Sequence, residues 1–271
     1  MQGRVLVIAG SDSGGGAGIQ ADIKTVTALG GFAATAITAL TAQNTLGVHG
    51  VMPVPPDFIR RQIDVVMGDI GADVIKIGML GDIATIEAVC DALAAFAPEV
   101  PVVLDPVMMA KGGQALLAPD AVDSLRRRLL PRAAVITPNL PEAEVLTLLA
   151  VGSEAEMRVA ATALLNLGVP AVLLKGGHSQ SAEVTDLLAT SAGIEAFAAP
   201  RIETRHTHGT GCTTASAVAI GLAQGLSLRD SIVRARAYVR AAIASAPGLG
   251  QGHGPLNHAV TIGFPVLIPA A

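Results

Sequence analysis

The window His206 to Ser216, HTHGTGCTTAS, puts a cysteine directly behind a glycine-threonine-glycine turn. The residues that follow, including Ala217, Val218, Ala219, Ile220 and Leu222, are small or apolar at helical spacing. The pattern predicts Cys212 in the first turn of a helix. A helix start carries unpaired amide N–H groups and partial positive charge, so it draws a thiol toward thiolate and offers donors to an anion. An inert, buried thiol is the competing reading and the commoner fate of a free cysteine.

Four further windows carry residue types suited to chemistry. GSDSGGGAGIQAD, from Gly10 to Asp22, looks like a nucleotide loop. It lacks the Gly-Lys-Ser/Thr ending of a phosphate-binding P-loop, and Ile19 stands where G-x-G-x-x-G needs glycine. The glycines allow a close backbone approach to a ligand, or simply a tight strand-to-helix turn. Asp12 and Asp22 flank the loop, and Asp22 one turn into the helix can act as a dipole partner. LDPVMMAKGG places Asp105 at a strand end, where a lone aspartate is usually a turn residue. TPNLPEAEVL sets Asn139, Glu142 and Glu144 around a helix start, which is ordinary capping chemistry. Together with Asp105, however, Asn139 and Glu142 could line a magnesium site, because Mg2+ takes few protein oxygens and keeps waters and phosphate oxygens. LLKGGH ends an apolar strand with Lys175, where a lysine either contacts phosphate or snorkels to solvent. The six histidines form no H-E-x-x-H or i,i+4 pair and are read as loop residues.

These windows must be held by a scaffold, and the chain alternates short β-branched runs with helix-length segments. Strands are predicted at 4–10, 72–78, 100–106, 133–138 and 170–177, and helices near 17–29, 56–68, 82–97, 120–130, 153–167, 211–224 and 228–245. Val184 to Pro200 reads as a strand pair. Such alternation implies α/β architecture with a mostly parallel sheet covered on both faces, and ligands beyond the carboxyl ends of its strands. GSDSGGGAG, KIGML, DPVM, TPNLPEAE and KGGH lie at such ends and should converge on one edge. No internal repeat or compositional break divides the chain, so residues 1–271 are expected to form one domain.

Composition narrows the partner. Hydrophobic residues make up 51% and charged residues 15%, which favours a large core over disorder. Five Phe, one Tyr and no Trp, with a formal charge of -4, argue against nucleic acid and for a small molecule. Cys90 and Cys212 fit neither a disulfide framework nor a zinc spacing, and read as cytosolic thiols. The N-terminal apolar run is too short for a signal peptide, and the uncharged interval between Lys24 and Asp57 is too interrupted for a membrane span. A cytoplasmic protein without a membrane partner is expected.

In order from residue 9, AGSDSGGGAGIQADIKT, ALTAQNT, IKIGMLG, LDPVMMAKGG, TPNLPEAE, LLKGGH and THGTGCT, with QGHGPLNH near the C-terminus, run through nearly the whole chain. This series resembles the hydroxymethylpyrimidine and hydroxymethylpyrimidine-phosphate kinases of thiamin biosynthesis, in the ribokinase-like superfamily. The resemblance implies a three-layer α/β/α ribokinase-like fold, use of ATP and Mg2+, and a homodimer. It implies transfer of the γ-phosphoryl group first to the hydroxymethyl and then to the phosphate oxygen. Cys212 falls where sugar kinases of the superfamily carry an aspartate base, and is implied to be the general base of the first phosphorylation. Gly209, Thr210 and Gly211 would form the anion hole. Gln43 would pair with the pyrimidine edge, with Gly10, Ala17, Asp22, Met79 and Val107 around it. Lys175 and Thr210 would contact ATP, and Asp105 and Glu142 would face magnesium.

Two positions depart from the family pattern: His206 replaces a common asparagine, and Gly112 a familiar serine. The nearest alternative is a pyridoxal or pyridoxine kinase, whose substrate is also a flat ring with a hydroxymethyl arm. A sugar kinase lacks support without the aspartate, and a non-catalytic pyrimidine- or ATP-binding protein should have lost the base or the anion turn.

Overall fold

The computed structural model describes residues 1–110, 112–179 and 181–263; residues 264–271 of the expected domain lie outside the described residues. A nine-stranded sheet runs in the order β3-β2-β1-β4-β5-β6-β7-β8-β9. Its strands are β1 (Arg4–Asp12), β2 (Phe32–Asn44), β3 (Gly47–Pro53), β4 (Val74–Ile77), β5 (Val102–Leu104), β6 (Val135–Ile136), β7 (Ala171–Leu174), β8 (Glu183–Thr190) and β9 (Gly193–Pro200). From β2 through β7 neighbours pair in parallel, and β3, β8 and β9 add antiparallel margins.

The central strands are uninterrupted apolar runs because both faces are covered. Successive residues of β1 point to opposite sides. Leu6 and Ile8 join a core with helices α2 (Pro56–Asp69), α3 (Ile83–Phe96) and α6 (Glu154–Leu165). Val5, Val7 and Ala9 join the core under α1 (Gly18–Ala28), α7 (Thr210–Ala223) and α8 (Leu228–Ala244). Each fully buried Ile, Leu or Val in these layers contributes about 1.5–3 kcal/mol of transfer free energy. The chain leaves β1 toward β2 on one side and later β4 toward β5 on the other. The topological switch therefore lies between β1 and β4, where a doubly wound sheet opens a crevice at its carboxyl edge.

Three regions differ from the predicted elements. β2 and β3 fill the uncharged interval that carried no predicted strand. Ala and Thr dominate β2, and alanine has weak strand preference, so its pattern is masked. The helix expected near 120–130 breaks after α4 (Ala121–Ser124) into a π turn, Leu125–Leu129, and a 3-10 turn, Leu130–Arg132, where Pro131 ends the run. The short α5 (Leu140–Thr147) grows from TPNLPEAE, where Asn139 and Glu142 form a reciprocal capping box. A C-terminal segment then returns across the carboxyl edge. The His208 amide donates to the Gly254 carbonyl at 3.1 Å, and the His253 amide to that of Thr45 at 2.9 Å.

Candidate active site

A cleft of about 710 Å³ opens at the carboxyl edge of the sheet. Gly10, Ala17, Gln43, Met79, Val107, Asp105, Glu142, Lys175, Gly209, Thr210, Gly211 and Cys212 all line it. The windows separated in sequence thus converge. Asp22 does not line the cleft, which corrects the expectation that it borders the ring. It is wholly buried, 2.9 Å and 3.0 Å from Lys76 Nζ through its two oxygens, and accepts a 2.7 Å bond from Ser216 Oγ.

Lys76 lines the cleft and is the site residue that sequence reasoning missed most clearly. Its signal was a lysine in the middle of the apolar strand ADVIKIG, a position that demands a buried partner. Burial opposes its charge, yet Asp22, with Cys212 and Asp105, holds the ammonium above its ordinary value. Burial also pushes Asp22 up, against the pull of Lys76 and Ser216.

Gly209 caps α7 in a left-handed conformation with φ 85°. A Cβ there would stand 1.8 Å from the Gly16 carbonyl oxygen, so glycine is required both for the turn and for its closeness to the first loop. Cys212 sits in the first turn of α7, as predicted. Its ionisation is the reverse of the expectation. Burial pushes the thiol up to about 11, with Asp22 and Asp105 adding to the shift, and Lys76 and the Gly18 amide offset only part of it. Desolvation here outweighs the helix start.

Opposite the turn, Asp105 Oδ1 accepts from Lys175 Nζ at 2.8 Å and from Thr137 Oγ1 at 2.9 Å. Its Oδ2 faces Gly211, 3.5 Å from where a Cβ there would stand, and Lys175 Nζ lies 3.2 Å from the same point. Burial raises Asp105, but Lys175 and Lys76 bring it below its ordinary value. Glu142 is pushed up to about 7, by burial first and by Asp105, against Lys175. Lys175 is charged by its two acidic neighbours despite its burial. A lysine and two carboxylates therefore crowd the mouth of the glycine turn. Among the described residues no group of three or more His, Cys, Asp or Glu could hold a metal without other ligands.

The glycine loop is organised from within. The carboxylate of Asp12 accepts the amides of Gly14 at 2.8 Å, Gly16 at 3.1 Å and Ala17 at 2.8 Å. Those donors are spent on the turn and do not form a phosphate cradle. His208 Nε2, 2.8 Å from Asp12 Oδ2, ties this loop to the α7 turn. His208 is a loop residue as expected, yet it is 9% exposed and lines the cleft, so it belongs to the site. Beyond β7, Asp186 and Arg236 pair across the far lobe of the cleft, with Arg201 and Arg240 beside them.

A glycine turn on a helix start, a lysine and acidic oxygens around one cleft form the apparatus of a small-molecule phosphotransferase. A family profile described as phosphomethylpyrimidine kinase matches residues 12–257, and the chain belongs to that family. It is 50% identical over 256 residues to a hydroxymethylpyrimidine/phosphomethylpyrimidine kinase of Rhizobium meliloti, covering 93% of this chain and 96% of the relative. It is 52% identical over 257 residues to a thiamine biosynthesis bifunctional protein of Geobacter sulfurreducens, covering 95% of this chain but 52% of that longer protein. Among solved structures, a Bacillus subtilis pyridoxal kinase in complex with ADP superposes with a TM-score of 0.89 at 36% identity, covering 96% of this chain and 98% of that one. A phosphomethylpyrimidine kinase of Clostridium difficile gives 0.78 at 38% identity, covering 88% and 97%. The architecture is the three-layer α/β/α ribokinase-like fold.

Proposed function

We propose that this protein is an ATP-dependent kinase that phosphorylates hydroxymethylpyrimidine and then the resulting phosphate, in thiamin biosynthesis. The observation that carries the reading is a cysteine, in place of aspartate, in the first turn of the helix behind the glycine turn, within a chain that belongs to the family.

The reaction needs positioning and charge stabilisation more than covalent help. Amides at the start of α7, with Gly209, Thr210 and Gly211, receive the transferring phosphoryl group, and Lys175 supplies positive charge beside it. Thr210 and Lys175 are the ATP-side contacts. In the first step the hydroxymethyl oxygen forms its bond to the γ-phosphorus, the bond to the ADP oxygen breaks, and Cys212 takes the hydroxyl proton. In the second step the attacking phosphate oxygen is already anionic and needs no base. Gln43 meets the ring edge, while Gly10, Ala17, Met79 and Val107 form the walls. Asp22 acts from behind, through Lys76.

Asp105 and Glu142 fit a magnesium ion, because both bring hard carboxylate oxygens to the cleft and the bonds from Lys175 and Thr137 fall on Asp105 Oδ1, leaving Oδ2 toward the glycine turn. That ion would neutralise phosphate charge and leave the remaining coordination to water and nucleotide. We assign residues 1–271 to one catalytic domain, acting in the cytoplasm as a homodimer. No helix among the described residues is long and apolar enough to cross a membrane.

The test is ADP release with magnesium-ATP and hydroxymethylpyrimidine, its monophosphate, pyridoxal or ribose. Turnover of both pyrimidines is expected. Pyridoxal turnover alone would favour the second reading, a pyridoxal kinase, which the superposition on the Bacillus subtilis enzyme supports. No turnover with any of the four would overturn the kinase reading.

A further inference from the structure

Gln43 lies between two partners whose protons decide which way its amide faces. In the placed orientation Nε2 is 3.4 Å from His208 Nε2, and Oε1 is 3.3 Å from Thr41 Oγ1. His208 Nε2 also lies 2.8 Å from Asp12 Oδ2. Burial disfavours the Asp12 carboxylate, but His208 and the amides of Ala17 and Gly14 hold it below its ordinary value. An ionised carboxylate only accepts, so His208 Nε2 carries a hydrogen and has no lone pair for a Gln43 N–H.

Thr41 reaches the same conclusion from the other end. Its single hydroxyl hydrogen goes to the Ser11 carbonyl at 2.9 Å, since that carbonyl cannot donate. Thr41 Oγ1 is left as an acceptor toward Gln43. Both neighbours therefore favour the turned amide: Nε2 donates to Thr41 Oγ1, and Oε1 faces the His208 N–H, whose single hydrogen is directed first to Asp12 Oδ2 and is shared with Gln43 at the longer distance. The two ends of an amide have nearly the same shape and are told apart by their partners.

We infer that the Asp12–His208 pair is a positioning device for ring recognition, which fixes the Gln43 carbonyl on the His208 side and its NH2 on the Thr41 side. This rests on the kinase reading above and deepens it. The cleft then presents a donor beside Thr41 and an acceptor beside His208. The complementary ring edge is a ring nitrogen next to an exocyclic amino group, with the amino group toward His208. His208 immediately precedes the Gly209 turn, so a hydroxymethyl group on the carbon beside the amino-bearing carbon is directed toward Cys212. The opposite amide orientation would accept the same edge with the ring reversed and carry the hydroxymethyl away from the anion hole.

The test compares His208→Leu with His208→Gln, whose side-chain nitrogen has nearly the reach of Nε2. The substrate is hydroxymethylpyrimidine, and the same pyrimidine without its amino group serves as a competitive inhibitor. His208→Leu is expected to raise KM for hydroxymethylpyrimidine about tenfold, the factor equivalent to one hydrogen-bond-sized loss. KM for ATP and Ki for the amino-free compound should stay within about twofold, and His208→Gln should restore most of the loss. Equal weakening of both pyrimidines, a matching rise in KM for ATP, an unchanged KM or no rescue by glutamine overturns the positioning role. Melting temperatures check folding. Should His208→Leu fail to fold, Thr41→Val carries the same comparison, with the same selective rise expected and equal losses overturning the inference. Absence of wild-type turnover on hydroxymethylpyrimidine overturns the kinase reading and this inference with it; wild-type turnover with unaltered ring selectivity in the variants overturns this inference alone.

Discussion

At Cys212 two local fields oppose each other: the helix start and Lys76 favour the thiolate, while burial and the carboxylates of Asp22 and Asp105 favour the thiol. The second set wins, and the acid sits at about 11. A base with that value is mostly protonated at neutral pH, and below pH 11 its active fraction grows about tenfold per pH unit. The kcat/KM for hydroxymethylpyrimidine should therefore climb from pH 6 to pH 9 more steeply than that for the phosphate. Cys212→Ala should lower the first phosphorylation by roughly 100-fold or more and change the second by only a few-fold, because the phosphate oxygen brings its own charge. Parallel pH profiles, or equal losses in both steps, would remove Cys212 from the base role. The position of this residue was legible from a glycine turn followed by a helical pattern. Its ionisation was not, because the deciding groups come from α1, β4 and the end of β5, far away in the chain.

Among the elements, α1, β4 and α7 are locked together by Asp22, Lys76 and Ser216. Ser216 lies one turn after Cys212, so the bond from Ser216 to Asp22 also fixes the helix face that carries the thiol. Lys76→Met would strand the Asp22 carboxylate with no cation in the core, and should cost about 3–5 kcal/mol. The double variant Lys76→Met/Asp22→Leu removes both charges, and should recover most of that loss in urea unfolding. Additive losses would show that the pair is not coupled. The same lock explains what sequence could resolve at this scale. β1, β4, β5, β6 and β7 were legible because burial on both faces demands unbroken apolar runs. β2 was not, because its alanines and threonines leave one margin of the sheet with little hydrophobic contrast. The pairing of Asp22 with Lys76 joins residues 54 positions apart. Local spacing carries no sign of that contact: it offers Asp22 only as a helix-dipole partner, and the family resemblance sets it beside the ring.

Across the whole molecule, the catalytic helix is held from both ends of the chain: α1 packs on one side and the C-terminal segment crosses the cleft edge. His258 is the buried point of that closure. It is 6% exposed, its Nε2 lies 3.0 Å from Thr213 Oγ1, and its carbonyl accepts from the Tyr238 hydroxyl at 2.7 Å. Burial, assisted by Lys24 and His208, depresses its pKa to about 4 from the ordinary 6.5. Between those values the unfolded chain binds the proton and the folded one does not. Stability from this group is thus complete above pH 6.5 and is lost as pH falls toward 4. By pH 5 the loss should be about 2 kcal/mol relative to pH 7. His258→Gln keeps a polar partner for Thr213 but does not titrate, so its unfolding free energy should fall less between pH 7 and pH 5 by about that amount. Urea unfolding of both proteins at the two pH values measures the difference. An identical pH slope in the variant would mean that His258 protonates freely in the folded state and that the C-terminal closure is not the acid-sensitive joint.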